Sequence, residues 1–203
     1  MKLTKLLERL DYKVVAGSDN IEITELVNDS RKVVPGSVFV CISGAVSDGH
    51  QYVKDVAEKG AAAVIVEKDV EVPEGLTVIK VEDTRYALAL TSAAYFGYPA
   101  EKLKTIGITG TKGKTTTTYM VKAILEEVGH KVGLIGTIEA IIGDKTIPSN
   151  NTTPESYTIQ KYFAQMVEAG CDCVVMEVSS QGLMLHRTAG IMFDIGIFTN
   201  LGE

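Results

Sequence analysis

The stretch Gly110-Thr111-Lys112-Gly113-Lys114-Thr115-Thr116 decides the fold of this chain. It follows a β-branched apolar run, Thr105 to Thr109, and precedes a helix-like segment from Thr117 to Val128. A strand, a glycine loop and a helix in this order bind the phosphates of a nucleotide, because loop N–H groups and the positive helix N-terminus surround the oxygens. In that arrangement Lys114 is the point charge for the β- and γ-phosphates, and the Thr115 hydroxyl is a ligand for Mg²⁺.

Composition and charge exclude several classes of protein. Hydrophobic residues make up 45% of the 203 positions and charged residues 23%, which is typical of a globular protein. The net charge of −6 argues against a general nucleic-acid surface, and no apolar run approaches the roughly 20 residues of a membrane helix. Three cysteines, Cys41, Cys171 and Cys173, lie in apolar runs without metal-ligand spacing. We therefore expect buried free thiols in a cytoplasmic protein.

The first half of the chain has the pattern of a small α/β domain. Leu3 to Leu10 shows helical spacing, and Asp83 is placed to cap a helix that stops at Gly97-Tyr98-Pro99. The strand-like runs are 21–27, 38–42, 62–66 and 76–81, and a further helix ends at Gly60. We expect residues 1–98 to form one domain and residues 99–103 to be a linker.

The second half begins again with strand, phosphate loop and helix. A strand pattern covers 131–135, a hairpin over 138–147 turns at Gly143-Asp144, and 172–178 and 193–198 are suited to buried parallel strands. Thr153-Pro154-Glu155 predicts a helix start, with the Thr153 hydroxyl as cap and proline at the first helical position. The alternation predicts a doubly wound α/β sheet over 104–203. Because the chain stops directly after a strand, we expect it to be the N-terminal part of a longer protein.

Three polar clusters follow predicted strands, where open α/β sheets bind their ligands. Asn150 to Glu155 offers amides, hydroxyls and a helix N-terminus to an anion, although an ordinary capped helix has the same residues. Glu177 is placed to bind Mg²⁺, or is a partly exposed strand-end glutamate. Arg187 can fork onto an oxyanion. Ser179 and Ser180 lack the glycine elbow and the His–acid partner of a nucleophile, so we expect phosphoryl transfer from ATP.

Two other interpretations of the glycine loop remain open. One is a surface turn before an ordinary helix. The other is a dinucleotide-binding dehydrogenase, but Gly107, Gly110 and Gly113 do not have the G-x-G-x-x-G spacing. The loop also has Ile108 where a full G-x-x-x-x-G-K-[ST] loop has its first glycine. The Lys-Thr-Thr sequence that ends the loop favours the binding of phosphate and Mg²⁺.

Taken together, these motifs resemble the Mur ligase family, ATP-dependent enzymes that form amide bonds in bacterial peptidoglycan synthesis. Besides the phosphate loop, the resemblance rests on Asn151-Thr152-Thr153-Pro154-Glu155 and Met176-Glu177-Val178-Ser179-Ser180. These two motifs are similar to the MurE branch, which adds meso-diaminopimelate or L-lysine to UDP-N-acetylmuramoyl-L-alanyl-D-glutamate. Asp29-Ser30-Arg31 and Asp48-Gly49-His50 are similar to the first domain of the MurF branch as well. A MurF-like ligase is therefore an alternative.

The resemblance implies a role for each matching residue. Lys114 and Glu177 would act in catalysis, with Thr115 and Glu177 near Mg²⁺. The ATP loop would comprise Gly110, Thr111, Lys112, Gly113, Lys114, Thr115 and Thr116. The muramoyl-dipeptide would be held by Asn151, Thr152, Thr153, Ser179 and Arg187, and the uridine diphosphate by Asn28, Ser30, Gly44, Ala45, Val46 and Ser47. The γ-phosphate would convert the D-glutamate carboxylate to an acyl phosphate, which the amine of the incoming amino acid attacks.

The resemblance also implies three domains, which bind the UDP end of the substrate, ATP and the incoming amino acid. This sequence would contain the first domain and the front half of the second, so we expect that it does not complete ligation alone. Lys112 and Gln181 stand where many members have Asn and His, and the choice between diaminopimelate and lysine stays open. A nucleotide-binding module without ligase activity is a further alternative. It would not bind the UDP-muramoyl-dipeptide.

Overall fold

A computed structural model describes residues 1–44 and 47–202 of the chain. The chain divides into two compact units, Met1–Tyr95 and Phe96–Glu203. Each unit has its own sheet with helices between the strands, which confirms the predicted α/β class. Among the helices of the described residues, none combines the length and the apolar character needed to cross a membrane.

The first unit is built on a five-stranded sheet. Its strands are β1 (Lys13–Ala16), β2 (Leu26–Val27), β3 (Val38–Val40), β4 (Ala63–Val66) and β5 (Thr77–Lys80). They lie in the order β1-β5-β4-β3-β2, and all pairs are parallel except β1 with β5. The continuous apolar runs of β3 and β4 are buried along their whole length, as expected for strands with helices on both sides. Since β2 and β3 are parallel neighbours, the loops that follow them leave the same edge of the sheet.

Three α-helices belong to the first unit: α1 (Leu3–Leu6), α2 (Val53–Glu58) and α3 (Thr84–Tyr95). Asp83 caps α3 as predicted, because its Oδ1 accepts the amide N–H of Tyr86 at 2.8 Å. The helix expected over 3–10 is only one turn long. β1 was not predicted, because its four residues are half-exposed and too few to show an alternating pattern.

The second unit has a six-stranded sheet. Its strands are β6 (Lys104–Thr109), β7 (Val132–Ile135), β8 (Glu139–Ile142), β9 (Lys145–Pro148), β10 (Cys173–Glu177) and β11 (Ile195–Phe198). The order is β11-β6-β10-β7-β8-β9; the first four are parallel, and β8 and β9 form the predicted antiparallel hairpin. The expectation that 193–198 is a buried strand was wrong, because β11 lies at the edge of the sheet and its side chains are mostly exposed.

Two long helices lie on opposite faces of this sheet. The helices of the unit are α4 (Lys114–Glu127), α5 (Ser156–Glu168) and the short α6 (Ser180–Met184). Along β10, Val174 and Met176 belong to the core cluster of Phe163 on α5, whereas Val175 belongs to the cluster of Leu125 on α4. Alternate residues of one strand thus face α5 and α4, which is the arrangement of a doubly wound sheet.

Two local predictions in the second unit were wrong. Thr153 does not cap α5, since the helix begins at Ser156 after an uncapped Glu155, and the Thr153 hydroxyl turns elsewhere. The expected linker forms a 3₁₀ helix, Pro99–Lys102, whose Ala100 is buried in the core cluster of α5.

The three cysteines are free and buried, as predicted. Burial, with smaller contributions from Asp48 and Glu67, raises the pKa of the Cys41 thiol to about 12. Burial also raises the pKa of Cys173. A thiol in such surroundings stays protonated at neutral pH and packs as a small apolar side chain.

Candidate functional site

The glycine loop connects β6 to α4, and each of its glycines is required for a different reason. Gly110 has φ +133°, and a Cβ there would lie 2.2 Å from Thr199 Oγ1 and 2.8 Å from the Asn200 carbonyl oxygen. Gly113, the N-cap of α4, has φ +82° and open space around it, so its requirement is conformational. Because Gly113 has no side chain to cap the helix, the first-turn N–H groups of α4 face the loop and suit an anion.

The Lys114 ammonium folds back over this loop. Its Nζ donates to the carbonyl oxygens of Gly110 at 2.7 Å and Thr111 at 3.3 Å. The side chain therefore lies across the loop, with its positive charge beside the predicted phosphate site. Thr116 lies exposed on the first turn of α4.

A segment from the far end of the chain supports the same loop. The Asn200 carboxamide pairs with the backbone of Lys112: Oδ1 accepts the amide N–H at 3.1 Å, and Nδ2 donates to the carbonyl at 3.0 Å. Thr111 donates its amide N–H to the Asn200 carbonyl at 2.9 Å, and Thr199 Oγ1 donates to the Lys112 carbonyl at 2.7 Å. These contacts follow from the parallel pairing of β11 with β6, which sets Phe198 beside Thr109.

Glu177 ends β10 directly beside the loop and is surrounded by neutral donors. The register of β10 and β6 places Glu177 opposite Ile108, and the residue is 1% exposed. Its Oε2 accepts the hydroxyls of Thr115 and Thr137, each at 3.0 Å, and its Oε1 accepts the Thr137 amide N–H at 2.9 Å. Within 1–44 and 47–202, no ion pair compensates this carboxylate.

The donor set at Glu177 fits a hard divalent cation. Carboxylate and hydroxyl oxygens are the ligands that Mg²⁺ takes, and Glu177 Oε2 lies 3.0 Å from the Thr115 hydroxyl. A buried carboxylate with only neutral partners is also more favourable once a cation is nearby. Gly136 makes room for this carboxylate, because a Cβ there would lie 2.5 Å from Glu177 Oε1.

Thr153 is buried and its hydroxyl joins two segments of the backbone. Thr153 Oγ1 lies 3.0 Å from the Glu177 carbonyl oxygen, which accepts its hydrogen, and it accepts the Ser179 amide N–H at 2.9 Å. The residue is 1% exposed. It therefore fixes the turn before α5 against the end of β10. The predicted contact of Thr153 with a substrate stays a prediction, and its observed hydrogen bonds are all internal.

Arg187 also holds this turn. Its guanidinium donates to the Thr153 carbonyl at 2.8 Å and to Glu155 Oε1 at 2.6 Å. Its Nε is buried and, within the described part of the chain, has no hydrogen-bond partner. Asn151 lies exposed beside Thr152, and Thr152 Oγ1 is 3.0 Å from Thr137 Oγ1. Of the predicted dipeptide residues, Thr153 bonds to the backbone of Glu177 and Ser179, and Arg187 bonds to Thr153. Thr152 is linked to Glu177 through Thr137.

The predicted uridine-diphosphate residues lie in the first unit, after β2 and β3. Asn28 is exposed just after β2, and Ser30 begins a 3₁₀ helix, Ser30–Lys32. Gly44 donates its amide N–H to the Ser47 carbonyl at 3.0 Å. Ala45 and Val46 lie outside the described residues. Because β2 and β3 are parallel neighbours, these segments share one edge of the sheet.

The loop after β3 is held by an imidazole with a fixed tautomer. Glu67 donates its amide N–H to His50 Nε2 at 3.1 Å, so the ring hydrogen is on Nδ1 and faces Asp48 Oδ1 at 2.6 Å. Hydrogen bonds from Lys68 and then from His50 hold the pKa of Asp48 well below its usual range. Ser43 Oγ donates to Glu67 Oε1 at 2.7 Å and closes the other side of the loop.

Comparison with known protein families identifies the family of this chain. Residues 108–203 match the sequence model described as the Mur ligase middle domain. Residues 22–98 match the model described as the Mur ligase family, catalytic domain. The chain belongs to the Mur ligase family. The first match ends three residues past the boundary between the two units, and the second match lies within the second unit.

Curated relatives of this chain include ligases that are named for the addition of diaminopimelate. The UDP-N-acetylmuramoyl-L-alanyl-D-glutamate–2,6-diaminopimelate ligase of Clostridium perfringens is 50% identical over 201 residues, 99% of this chain and 42% of that protein. The ligase 1 of the same name from Clostridium acetobutylicum is 51% identical over 203 residues, again 42% of its length. The chain thus spans well under half the length of the curated relatives that it matches.

Solved Mur ligase structures share the fold. A structure of a UDP-N-acetylmuramoyl-L-alanyl-D-glutamate–2,6-diaminopimelate ligase superposes with a TM-score of 0.79 at 21% identity and covers 100% of this chain and 41% of its own. The MurF ligase of Thermotoga maritima, solved in complex with ADP, gives a TM-score of 0.56 at 23% identity and covers 88% of this chain and 38% of its own. At these identities the likeness concerns the fold.

Two segments beside the candidate site carry no signal in the sequence of this Mur ligase chain. Gly136-Thr137 contacts Glu177 from the end of β7, and Thr199-Asn200 braces the phosphate loop. Neither pair belongs to the glycine-loop motif or to the Glu-Val-Ser-Ser motif. The available signal was topological: in a parallel sheet each strand ends at the same edge as β6, so the residues after β7 and β11 reach the loop.

Proposed function

We propose that this chain carries the ATP-binding and substrate-binding part of a ligase that adds diaminopimelate to UDP-N-acetylmuramoyl-L-alanyl-D-glutamate. The observation that carries the proposal is a continuous path of contacts within the second unit. The Thr115 hydroxyl lies 3.0 Å from the Glu177 carboxylate, which lies 3.0 Å from the Thr137 hydroxyl. The Thr137 hydroxyl in turn lies 3.0 Å from the hydroxyl of Thr152 in the predicted dipeptide site. The names of two relatives that are about half identical to this chain support the choice of substrate and amino acid.

The phosphates of ATP would bind over the glycine loop. The N–H groups at the start of α4 would donate to the phosphate oxygens, and Lys114 would exchange a loop carbonyl for the γ-phosphate. The bidentate pairing of Asn200 with Lys112 would keep the loop in its concave form. Binding is therefore expected to need little movement of the backbone.

Thr115 and Glu177 would hold Mg²⁺. When bound, this ion neutralises charge on the β- and γ-phosphates as the phosphoryl group is transferred. The chain's own part is to keep both oxygens at hand in a site that protein covers, because an electrostatic interaction is stronger there than in water.

The muramoyl-dipeptide would lie against Asn151, Thr152 and Ser179, with its D-glutamate carboxylate turned toward the loop. That carboxylate would attack the γ-phosphorus of ATP, form an acyl phosphate and release ADP. The amine of diaminopimelate would then attack the acyl carbon, form the amide and release phosphate. Thr153 and Arg187 would keep the turn before α5 in place, so that the two anionic substrates meet in one orientation.

The first unit would bind the uridine diphosphate through Asn28, Ser30 and the loop 44–47. Beside these segments, Lys59 Nζ donates to the Ser30 carbonyl at 3.0 Å and to Asp55 Oδ2 at 2.7 Å. We further propose a cytoplasmic location, because three free, buried thiols suit a reducing compartment.

The proposal is tested by titrating two ligands against the chain and two lysine variants. Lys114→Met should weaken MgATP binding at least about tenfold, since a charge-assisted hydrogen bond is worth about 1.5–3 kcal/mol. Lys122→Met is the matched control on the same helix and should bind MgATP as the wild type does. Unchanged MgATP affinity in Lys114→Met would contradict the loop assignment. A wild-type chain that binds MgATP but not the UDP-muramoyl-dipeptide would instead support a nucleotide-binding module without ligase activity.

A further inference from the structure

Thr137 stands between the predicted cation site and the predicted dipeptide site. It follows Gly136 at the end of β7 and is exposed. Its hydroxyl lies 3.0 Å from Glu177 Oε2 and 3.0 Å from Thr152 Oγ1, and its amide N–H lies 2.9 Å from Glu177 Oε1. Thr137 thus contacts both carboxylate oxygens of Glu177 and the hydroxyl of Thr152, a predicted substrate-binding residue.

The direction of these hydrogen bonds is determined by the chemistry of the groups. An ionised carboxylate only accepts, and a hydroxyl has a single hydrogen to give. Thr137 must therefore donate its hydrogen to Glu177 Oε2, because otherwise two oxygen lone pairs would face each other across 3.0 Å. The contact with Thr152 then runs the other way, with the Thr152 hydroxyl donating to Thr137 Oγ1.

This direction decides what Thr152 can offer a ligand. Once its only hydrogen is engaged by Thr137, its hydroxyl presents lone pairs alone. We infer that Thr137 is a positioning residue that fixes the Glu177 carboxylate and sets Thr152 as a hydrogen-bond acceptor toward the substrate. Thr152 then selects an N–H or O–H group, such as a peptide amide, and disfavours a carboxylate or phosphate oxygen. The inference rests on the proposed function.

The two contacts of Thr137 with Glu177 can be separated by substitution. Thr137→Val keeps the backbone N–H and loses the hydroxyl, whereas Thr137→Ser keeps both. Because the side chain is exposed, neither change should disturb the core, and unfolding temperatures close to the wild type would check this. Thr146→Val, on the exposed face of β9, is the matched control for losing a threonine hydroxyl.

The first measurement is the ratio of ATP affinity in Mg²⁺ to that in chelator. Thr137→Val should reduce this ratio about tenfold through a less well placed Glu177, which is about one charge-assisted hydrogen bond. Thr137→Ser and Thr146→Val should stay within about threefold of the wild type. An unchanged ratio in Thr137→Val would overturn the positioning role.

The second measurement is a double-mutant cycle of Thr137→Val and Thr152→Ala on the affinity for UDP-N-acetylmuramoyl-L-alanyl-D-glutamate. If Thr137 orients the Thr152 hydroxyl, removing that hydroxyl should cost less affinity in the Thr137→Val variant than in the wild type. Additive losses of affinity would overturn the inference that Thr137 orients the Thr152 hydroxyl. A wild-type chain that binds neither ligand would overturn the proposed function and this inference together, whereas normal binding with additive losses would overturn the inference alone.

Discussion

Two carboxylates of this chain, those of Glu67 and Glu177, accept hydrogen bonds from residues that are distant in the sequence. Glu67 accepts hydrogen bonds from Ser43 and from both the amide and the hydroxyl of Thr84, and the pKa of Glu67 is lowered although burial acts in the opposite direction. Glu177 is held by hydroxyls and an amide in the same manner. For Glu67, the lowered pKa means that the ionised carboxylate favours the folded state.

Asp48 makes this dependence measurable. Hydrogen bonds from Lys68 and His50 lower its folded pKa, so its contribution to stability is complete above the unfolded pKa of about 3.9 and is lost as the pH falls through the folded value. The stability gap between wild type and Asp48→Asn should be widest above about pH 4 and shrink below it. Urea unfolding from neutral to acidic pH measures this gap. The surface pair of Asp55 with Lys59 supplies the control, since Asp55→Asn should differ by less than about 0.5 kcal/mol. A gap that widens toward acid would contradict the assignment.

The chemistry of individual residues was predictable where the sequence alone constrains it. Lys114 and Glu177 could be placed because one follows a glycine loop and the other ends an apolar strand. Thr137 could not, since its role depends on the parallel register of β7 with β10, which no local pattern encodes. Thr153 shows the same limit: the sequence predicts its hydroxyl on a helix N-terminus, but in the structure the hydroxyl bonds to the Glu177 carbonyl and the Ser179 amide at the end of β10.

At the level of elements, the glycine loop of residues 110–116 and the segment after β11 form one hydrogen-bonded unit. The loop lies between β6 and α4, but much of its hydrogen bonding goes to Thr199 and Asn200, at the far end of the chain. The strand pattern of β6 and the start of α4 were visible in the sequence, because glycine, lysine and threonine have strong local preferences there. The edge position of β11 was not, because an apolar strand at an edge and one in the centre look alike along the chain.

Gly110→Ala should damage this hydrogen-bonded unit more than an equivalent change elsewhere. Its positive φ and the 2.2 Å approach of a Cβ to Thr199 Oγ1 would force the loop away from the brace. Gly129→Ala is the control, since Gly129 also has a positive φ, of +94°, but nothing lies within 4 Å. We expect the control to lose about 1–2 kcal/mol of stability and Gly110→Ala to lose more, together with MgATP affinity. Equal losses in thermal unfolding and unaffected nucleotide binding would argue against the brace.

At the level of the whole molecule, each unit gathers its loops at the carboxyl edge of a largely parallel sheet. The topology alone explains why residues far apart in sequence share the candidate site. The same topology leaves β11 as an outer strand, with Ile195 53% and Phe198 64% exposed. An exposed apolar edge strand promotes association between chains.

Phe198→Lys should therefore make the protein more monodisperse. A charge on the outer strand disfavours edge-to-edge pairing, and we expect association to weaken at least about tenfold, on the order of 1.4 kcal/mol. Sedimentation velocity over a range of concentrations measures this. Val72→Lys, at another exposed apolar position in the first unit, is the control and should leave association unchanged. Association that is equally strong in both variants would rule out this edge.

The position of Lys114 over its own loop has a consequence for the thermodynamics of the proposed nucleotide binding. The Lys114 ammonium is hydrogen-bonded to the Gly110 and Thr111 carbonyls, so the loop conformation is preorganised. The conformational entropy of the loop is lost during folding, so the proposed binding of phosphate would require little further ordering of the loop. Binding of the phosphates should therefore not be coupled to folding of the loop. The heat-capacity change of this step should be small, because little apolar surface is buried with the phosphates.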